Sequence, residues 1–178
     1  MSTKIKLDNP RVYFDQVARP LFERFMGEPS TFANAFAMTN ALFHLHEWVH
    51  AFNRTEIEAK YSEAYQSPGA FWQRVEAEVP QAGYIRDLTN ASKHVSIGKH
   101  PTSTGMTHIA NTVIKSISYG EGAYGEGRYG GASVKMEDSG DEISLDSCAS
   151  DLMNFWQKLI DELYPPPQSN TFAYTASI

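Results

Sequence analysis

Two short stretches of this sequence carry residue types and spacings that can do chemistry. The first is "HLHEWVH", residues 44–50, which contains His46-Glu47-Trp48-Val49-His50. In zinc hydrolases with an HExxH helix, two histidines one turn apart bind the metal and the glutamate acts as general base. His46 and His50 meet that spacing, because four residues turn an α-helix by about 400°. The third ligand would have to come from elsewhere in the chain. His44 cannot supply it, since it lies about 160° from His46 and about 120° from His50 around the helix axis. The second stretch is "RDLTNASKH", residues 86–94. Arg86, Asn90 and His94 fall at i, i+4 and i+8, one stripe of a helix, with Lys93 beside them. A histidine in such a stripe can accept and return a proton. An arginine can grip a phosphate with two hydrogen bonds, and an asparagine can bond a ribose hydroxyl. Together they suit RNA cleavage without a metal, with the 2′-hydroxyl as nucleophile. The competing reading is a polar helix face with Arg86 paired to Asp87 or another carboxylate.

The six residues "TNASKH" (89–94) resemble the RNxxxH motif of HEPN-family domains. That resemblance implies a compact helical bundle, a metal-independent ribonuclease or RNA-associated activity of the defence or toxin type, and a site shared between two copies. It maps the family's asparagine onto Asn90 and its histidine onto His94. The family's arginine falls on Thr89, and Arg86, one turn earlier, is the available positive charge. A domain that binds without cutting is the other implication. The wider layout also resembles uncharacterised bacterial and phage-borne proteins.

A third feature is the repeat "YGEGA-YGEGR-YGG", residues 119–131. Such a stretch is either a flexible connection between strands or a loop whose Tyr119, Tyr124 and Tyr129, with Arg128, contact a partner. The latter gives an alternative function, a non-catalytic homo-oligomeric interaction protein. A zinc-dependent hydrolase using His46, His50 and Glu47 is the remaining alternative. Zinc belongs to that reading alone, and the others need no cofactor.

Composition limits the class. The 178 residues are 42% hydrophobic and 20% charged, enough to bury a core without a disorder signature. A net charge of −6 gives no general attraction to nucleic acid, so an RNA partner would need a local basic patch. The single cysteine, Cys148, excludes an intramolecular disulfide. The opening residues lack an apolar signal-peptide core and no apolar run spans a bilayer, which predicts a cytoplasmic protein with no membrane partner.

The positioning elements follow from capping and periodicity. Asn9-Pro10 starts a helix that Pro20 should kink or divide. Ser30 caps a long helix through residue 52, apolar nearly all round, the central helix of a bundle. Its wheel groups His44 with Ala37, Ala41, Trp48 and Phe52 as the main core face. Residues 53–68 are polar and suit at most a short helix. Helices follow from about 69 to 79 and then up to Gly98, a natural stop. Beyond Pro101, "MTHIANTVIKSISY" places Ile109, Val113 and Ile117 on one face of a strand. "ASVKME" and "EISL" flank a turn at Asp138-Ser139-Gly140-Asp141. Asp146 or Ser147 caps a last helix whose stripe is Leu152, Phe155, Trp156, Leu159, Ile160 and Leu163. Trp48, Trp72 and Trp156 all read as core. The expected fold is α+β: a bundle of four to five helices with a small antiparallel hairpin or three-stranded sheet, at about 105–145, before the C-terminal helix. Residues 1–164 form one domain and 165–178 a polar tail.

Overall fold

A computed structural model describes residues 6–94, 104, 108–116 and 132–165. The fold is α+β and mainly helical, with a three-stranded antiparallel sheet just before the last helix. Asn9 caps α1 (Pro10–Tyr13), its side chain accepting from the Val12 amide at 3.0 Å. A π-helical turn (Phe14–Ala18) leads without a break into α2 (Arg19–Gly27). The chain stays helical through Pro20, so the proline does not divide it, and the departure from α-helical geometry is the π turn just before it. A proline lacks an N–H and crowds the preceding turn, and the wider π turn directly before it supplies the room.

Thr31, not Ser30, caps α3 (Phe32–Tyr61), accepting from the Asn34 amide at 3.2 Å. At 30 residues α3 runs well past residue 52. Its only non-helical backbone is at Asn53 (φ −129°, ψ 27°), where the helix kinks. Asn53 is buried, and its side-chain oxygen accepts from the Tyr164 hydroxyl at 2.7 Å. The polar segment after the kink stays helical because Ile57 is fully buried and Arg54 pairs with Glu58 one turn on. Ser62, in the left-handed region at φ 54°, ends it. Ser67 and Pro68 then start α4 (Pro68–Glu78). After a short turn comes α5 (Ala82–Lys93), which stops at His94 in extended conformation. The expected stop at Gly98 lies outside the described residues.

A 3-10 turn (Ile109–Asn111) precedes β1 (Thr112–Ser116). Strands β2 (Ala132–Asp138) and β3 (Asp141–Ser144) complete the sheet in the order β1-β2-β3. Ser139 and Gly140 both have positive φ (54° and 97°), as a two-residue hairpin of type I′ requires. Ile114 pairs with Val134, and Met136 with Ile143. These four side chains face the core. The core parity is thus that of Ile114, not of Val113. The expected parity counted through the 3-10 turn at Ile109, where the strand repeat of two does not hold. Ile117 lies outside the described residues.

Helix α6 (Leu145–Leu163) closes the structure. It begins at Ser144 rather than at Asp146 or Ser147, and no side chain caps its first amides. Its stripe is as expected: Leu152, Trp156, Leu159 and Ile160 are buried, with Phe155 and Leu163 at the margin. Helices α2, α4, α5 and α6 all pack on α3. The core face of α3 is Ala35, Met38, Ala41, Leu42, Leu45, His46, Val49 and Ile57. Of the expected face, Ala37, Ala41, His44, Trp48 and Phe52, only Ala41 is buried; Phe52 is 52% exposed and Trp48 is half-buried. Trp72 and Trp156 are core, at 2% and 0% exposure. The Trp156 indole N–H donates to the Leu42 carbonyl at 3.0 Å, fastening α6 to the middle of α3. Trp156→Ala removes a fully buried ring and this bond, and should lower unfolding free energy by about 3–5 kcal/mol. Urea denaturation followed by circular dichroism measures that loss.

Candidate functional site

The three side chains of the HExxH pattern go to three different places. His46 is only 3% exposed. Its ring packs against Phe43 and Trp72, with centroids 4.7 and 5.2 Å away. Its Nδ1 lies 2.5 Å from the Phe43 carbonyl. A carbonyl only accepts, so Nδ1 carries the proton. Burial pushes the His46 imidazole below its ordinary value. His50 points at the next segment, its Nε2 donating to the Tyr65 carbonyl at 3.0 Å. Glu47 is turned to solvent and pairs with His44 Nδ1 at 3.3 Å. Among the described residues no group of three His, Cys, Asp or Glu side chains is placed to hold a metal ion. The arrangement does not fit a zinc-hydrolase centre, since one histidine is core, the other is tied to a backbone carbonyl, and the glutamate serves a different histidine.

The stripe on α5 is also divided. Arg86, 18% exposed at its side chain, pairs with Glu76 of α4 at 3.1 Å and with Asp87 at 3.0 Å. Glu76 in turn accepts from the Trp72 indole at 2.7 Å. Asp87 is fully buried, and its other oxygen accepts from the amide and hydroxyl of Thr104 at 3.1 and 2.7 Å. Burial raises the Asp87 carboxyl above its usual range, while the Thr104 and Arg86 bonds pull it back. Arg86 thus neutralises two carboxylates and is not presented to a ligand, which is the paired face weighed as the competing reading. Thr89, where the motif arginine of the HEPN resemblance falls, is fully buried and has no room for a guanidinium at the surface. Asn90 is half-buried, while Lys93 and His94 are exposed. His94 is not on the helical stripe, because its backbone has left the helix (φ −133°, ψ 123°).

What the packing of α3 on α5 does bring together is His44, Glu47 and Lys93. The Lys93 ammonium lies 3.1 Å from His44 Nε2, and His44 Nδ1 faces Glu47. An ammonium only donates, so Nε2 must hold the lone pair and Nδ1 the proton. The carboxylate therefore orients the ring and selects its tautomer, the service a third group performs for a catalytic base. With His44 31% and Glu47 53% exposed, solvent screens the pair, and its worth to stability is at most about 1 kcal/mol. Its effect is on geometry. Asn90 and His94 lie on the same end of α5. The His44–Glu47 spacing of three, one helical turn, was a legible signal. The partnership with Lys93 was not, because it joins residues 49 apart.

Tyr119, Tyr124, Arg128 and Tyr129 lie outside the described residues. Among the described residues no helix is long and apolar enough to cross a membrane. A scan against protein-family models and searches of curated proteins and of solved structures found no match to this chain.

Two outcomes follow from these assignments. Removing the Arg86 guanidinium leaves Glu76 and Asp87 uncompensated, so Arg86→Met should cost about 2–3 kcal/mol in denaturant unfolding. For His46, the unfolded chain takes up a proton as pH falls below about 6.5, and the buried ring resists doing so. In that window the unfolded state binds more protons, so stability falls as pH falls and levels off once the lowered folded value is passed. His46→Gln keeps a donor for the Phe43 carbonyl but cannot titrate. The stability advantage of wild type over this variant should shrink between pH 7 and pH 5, read from melting temperatures.

Proposed function

We propose that this protein is an RNA-directed helical protein that cleaves a phosphodiester without a metal, at a surface built from His44, Glu47, Asn90, Lys93 and His94. The observation that carries the reading is the Lys93–His44–Glu47 chain, a base with its orienting carboxylate and a cation at one position. In the cleavage step the phosphate draws Lys93 away and frees His44 Nε2. That nitrogen takes the 2′-hydroxyl proton as the 2′-oxygen attacks phosphorus, and Lys93 offsets the charge of the phosphorane. The P–O5′ bond breaks, and the departing oxygen takes a proton from His94 in its protonated form. The products are a 2′,3′-cyclic phosphate and a 5′-hydroxyl. Asn90 bonds the ribose. The resemblance of "TNASKH" to the HEPN motif supports the same class of substrate and brings with it a defence or toxin role in the cytoplasm and a homo-oligomer. Here the positive charge comes from Lys93 with the base on α3, and Arg86 has only a supporting part.

A second reading, a domain that binds RNA without cutting it, is favoured by one fact: the guanidinium of Arg86 is already engaged by Glu76 and Asp87. The two readings separate in one assay. Purified protein is incubated with end-labelled single-stranded RNA in excess EDTA. Cleavage is expected, with cyclic-phosphate ends, and His44→Gln or His94→Ala should slow it about 10²-fold or more. Binding without cleavage would leave the second reading, and neither binding nor cleavage would remove both.

A further inference from the structure

His44, Trp48 and Phe52 lie at i, i+4 and i+8 on α3, and the stripe they form runs from the candidate base outward to solvent. Trp48 stacks with two rings, Tyr13 of α1 (centroids 5.0 Å apart, planes 22° apart) and Phe52 (5.9 Å, 8°). Phe52, near-parallel to the indole, is 52% exposed. A lone exposed phenylalanine is ordinary. One stacked on a half-buried tryptophan, just before the kink at Asn53, offers a planar face whose orientation is set by the indole beside it. Its neighbours on the outer surface of α3, Arg54, Thr55 and Glu56, are exposed and polar. These polar side chains bound the apolar surface at Phe52 on one side and keep it narrow, whereas a protein interface needs a wider apolar centre.

We infer that Phe52 is a stacking platform for an unpaired base of single-stranded RNA whose phosphodiester lies at His44 and Lys93, an inference that rests on the RNA-directed reading above. Along the helix axis Phe52 is about 12 Å from His44, at 1.5 Å per residue. That is roughly three to four stacked nucleotides at about 3.4 Å each. Bases stack on aromatic rings whatever their identity, because each has a π face. A duplex, whose bases are already stacked on one another, has none to offer. The platform therefore selects single strands and holds the chain in register with the reacting phosphate, without reading sequence.

The test uses the full chain and a fluorescein-labelled 2′-O-methyl single strand, which cannot be cut because its nucleophile is blocked, with the matching duplex as control. Wild type should bind the single strand more tightly than the duplex by anisotropy. Phe52→Ala should weaken single-strand binding about tenfold, the size of one lost base stack, and Phe52→Trp should restore it. The half-exposed position allows both variants to fold, which melting curves check. If Phe52→Ala binds as tightly as wild type while wild type still cleaves RNA, the platform is overturned and the RNA-directed reading stands. If wild type neither binds nor cleaves, both fall. If Phe52→Ala instead reduces the protein's oligomeric mass and leaves RNA binding unchanged, the ring contacts a second copy and the platform is overturned.

Discussion

The structure depends on covering one helix. Apolar side chains occupy so much of the circumference of α3 that it cannot stand in water, and burial of that surface is the main favourable term in the fold. Helices α2, α4, α5 and α6 are arranged by that requirement. The bond from the Trp156 indole to the Leu42 carbonyl does more than fill space. A buried indole N–H without a partner would cost free energy, so the bond admits only those placements of α6 that bring Trp156 to this carbonyl. The kink at Asn53 answers the same requirement, because it redirects the polar end of α3 so that Ile57 still reaches the core. Tyr164 caps the freed side chain of Asn53 from the end of α6.

With α3 covered, the placement of α5 decides which residues meet. The Arg86 guanidinium, held between Glu76 and Asp87, ties α5 to α4, and Thr104 completes Asp87 from the following segment. This polar network is satisfied group by group, the condition under which buried charge adds rigidity to a fold. It sets the rotation of α5 about its axis. That rotation puts Thr89 in the core and Lys93 at the surface against His44. The arginine that looked most like a phosphate ligand is thus the one that orients the helix, and the lysine beside it takes the exposed position.

Much of the architecture is legible along the chain because its causes are local. Asn9-Pro10 and Ser67-Pro68 begin helices through caps that need only their own neighbours, and Ser139-Gly140 turns the hairpin through backbone freedom at two residues. The stripe on α6 reads correctly because that helix is amphipathic, with one face to bury. The face of α3 does not, since a helix apolar nearly all round has no single preferred side. Trp48 and Phe52 then look as much like core as Leu45 and Val49. The same ambiguity put His44 inside and His46 at the margin, the reverse of where packing places them.

The sequence by itself determined the fold class, the order of helices and sheet, the hairpin, and the two short stretches from which His44, Glu47 and Lys93 come. Each of these follows from spacing within a few residues. Tertiary structure alone decided which members of those stretches meet. His46 and Glu47 are adjacent in the chain yet face core and solvent, because one peptide step turns a helix by about 100°. His44 and Lys93 are 49 residues apart yet within hydrogen-bond reach, because both lie where α5 crosses α3. Contacts across a helix–helix interface depend on the rotation of both partners about their axes. That rotation is set by the whole core and by the Arg86 network, and no local spacing records it.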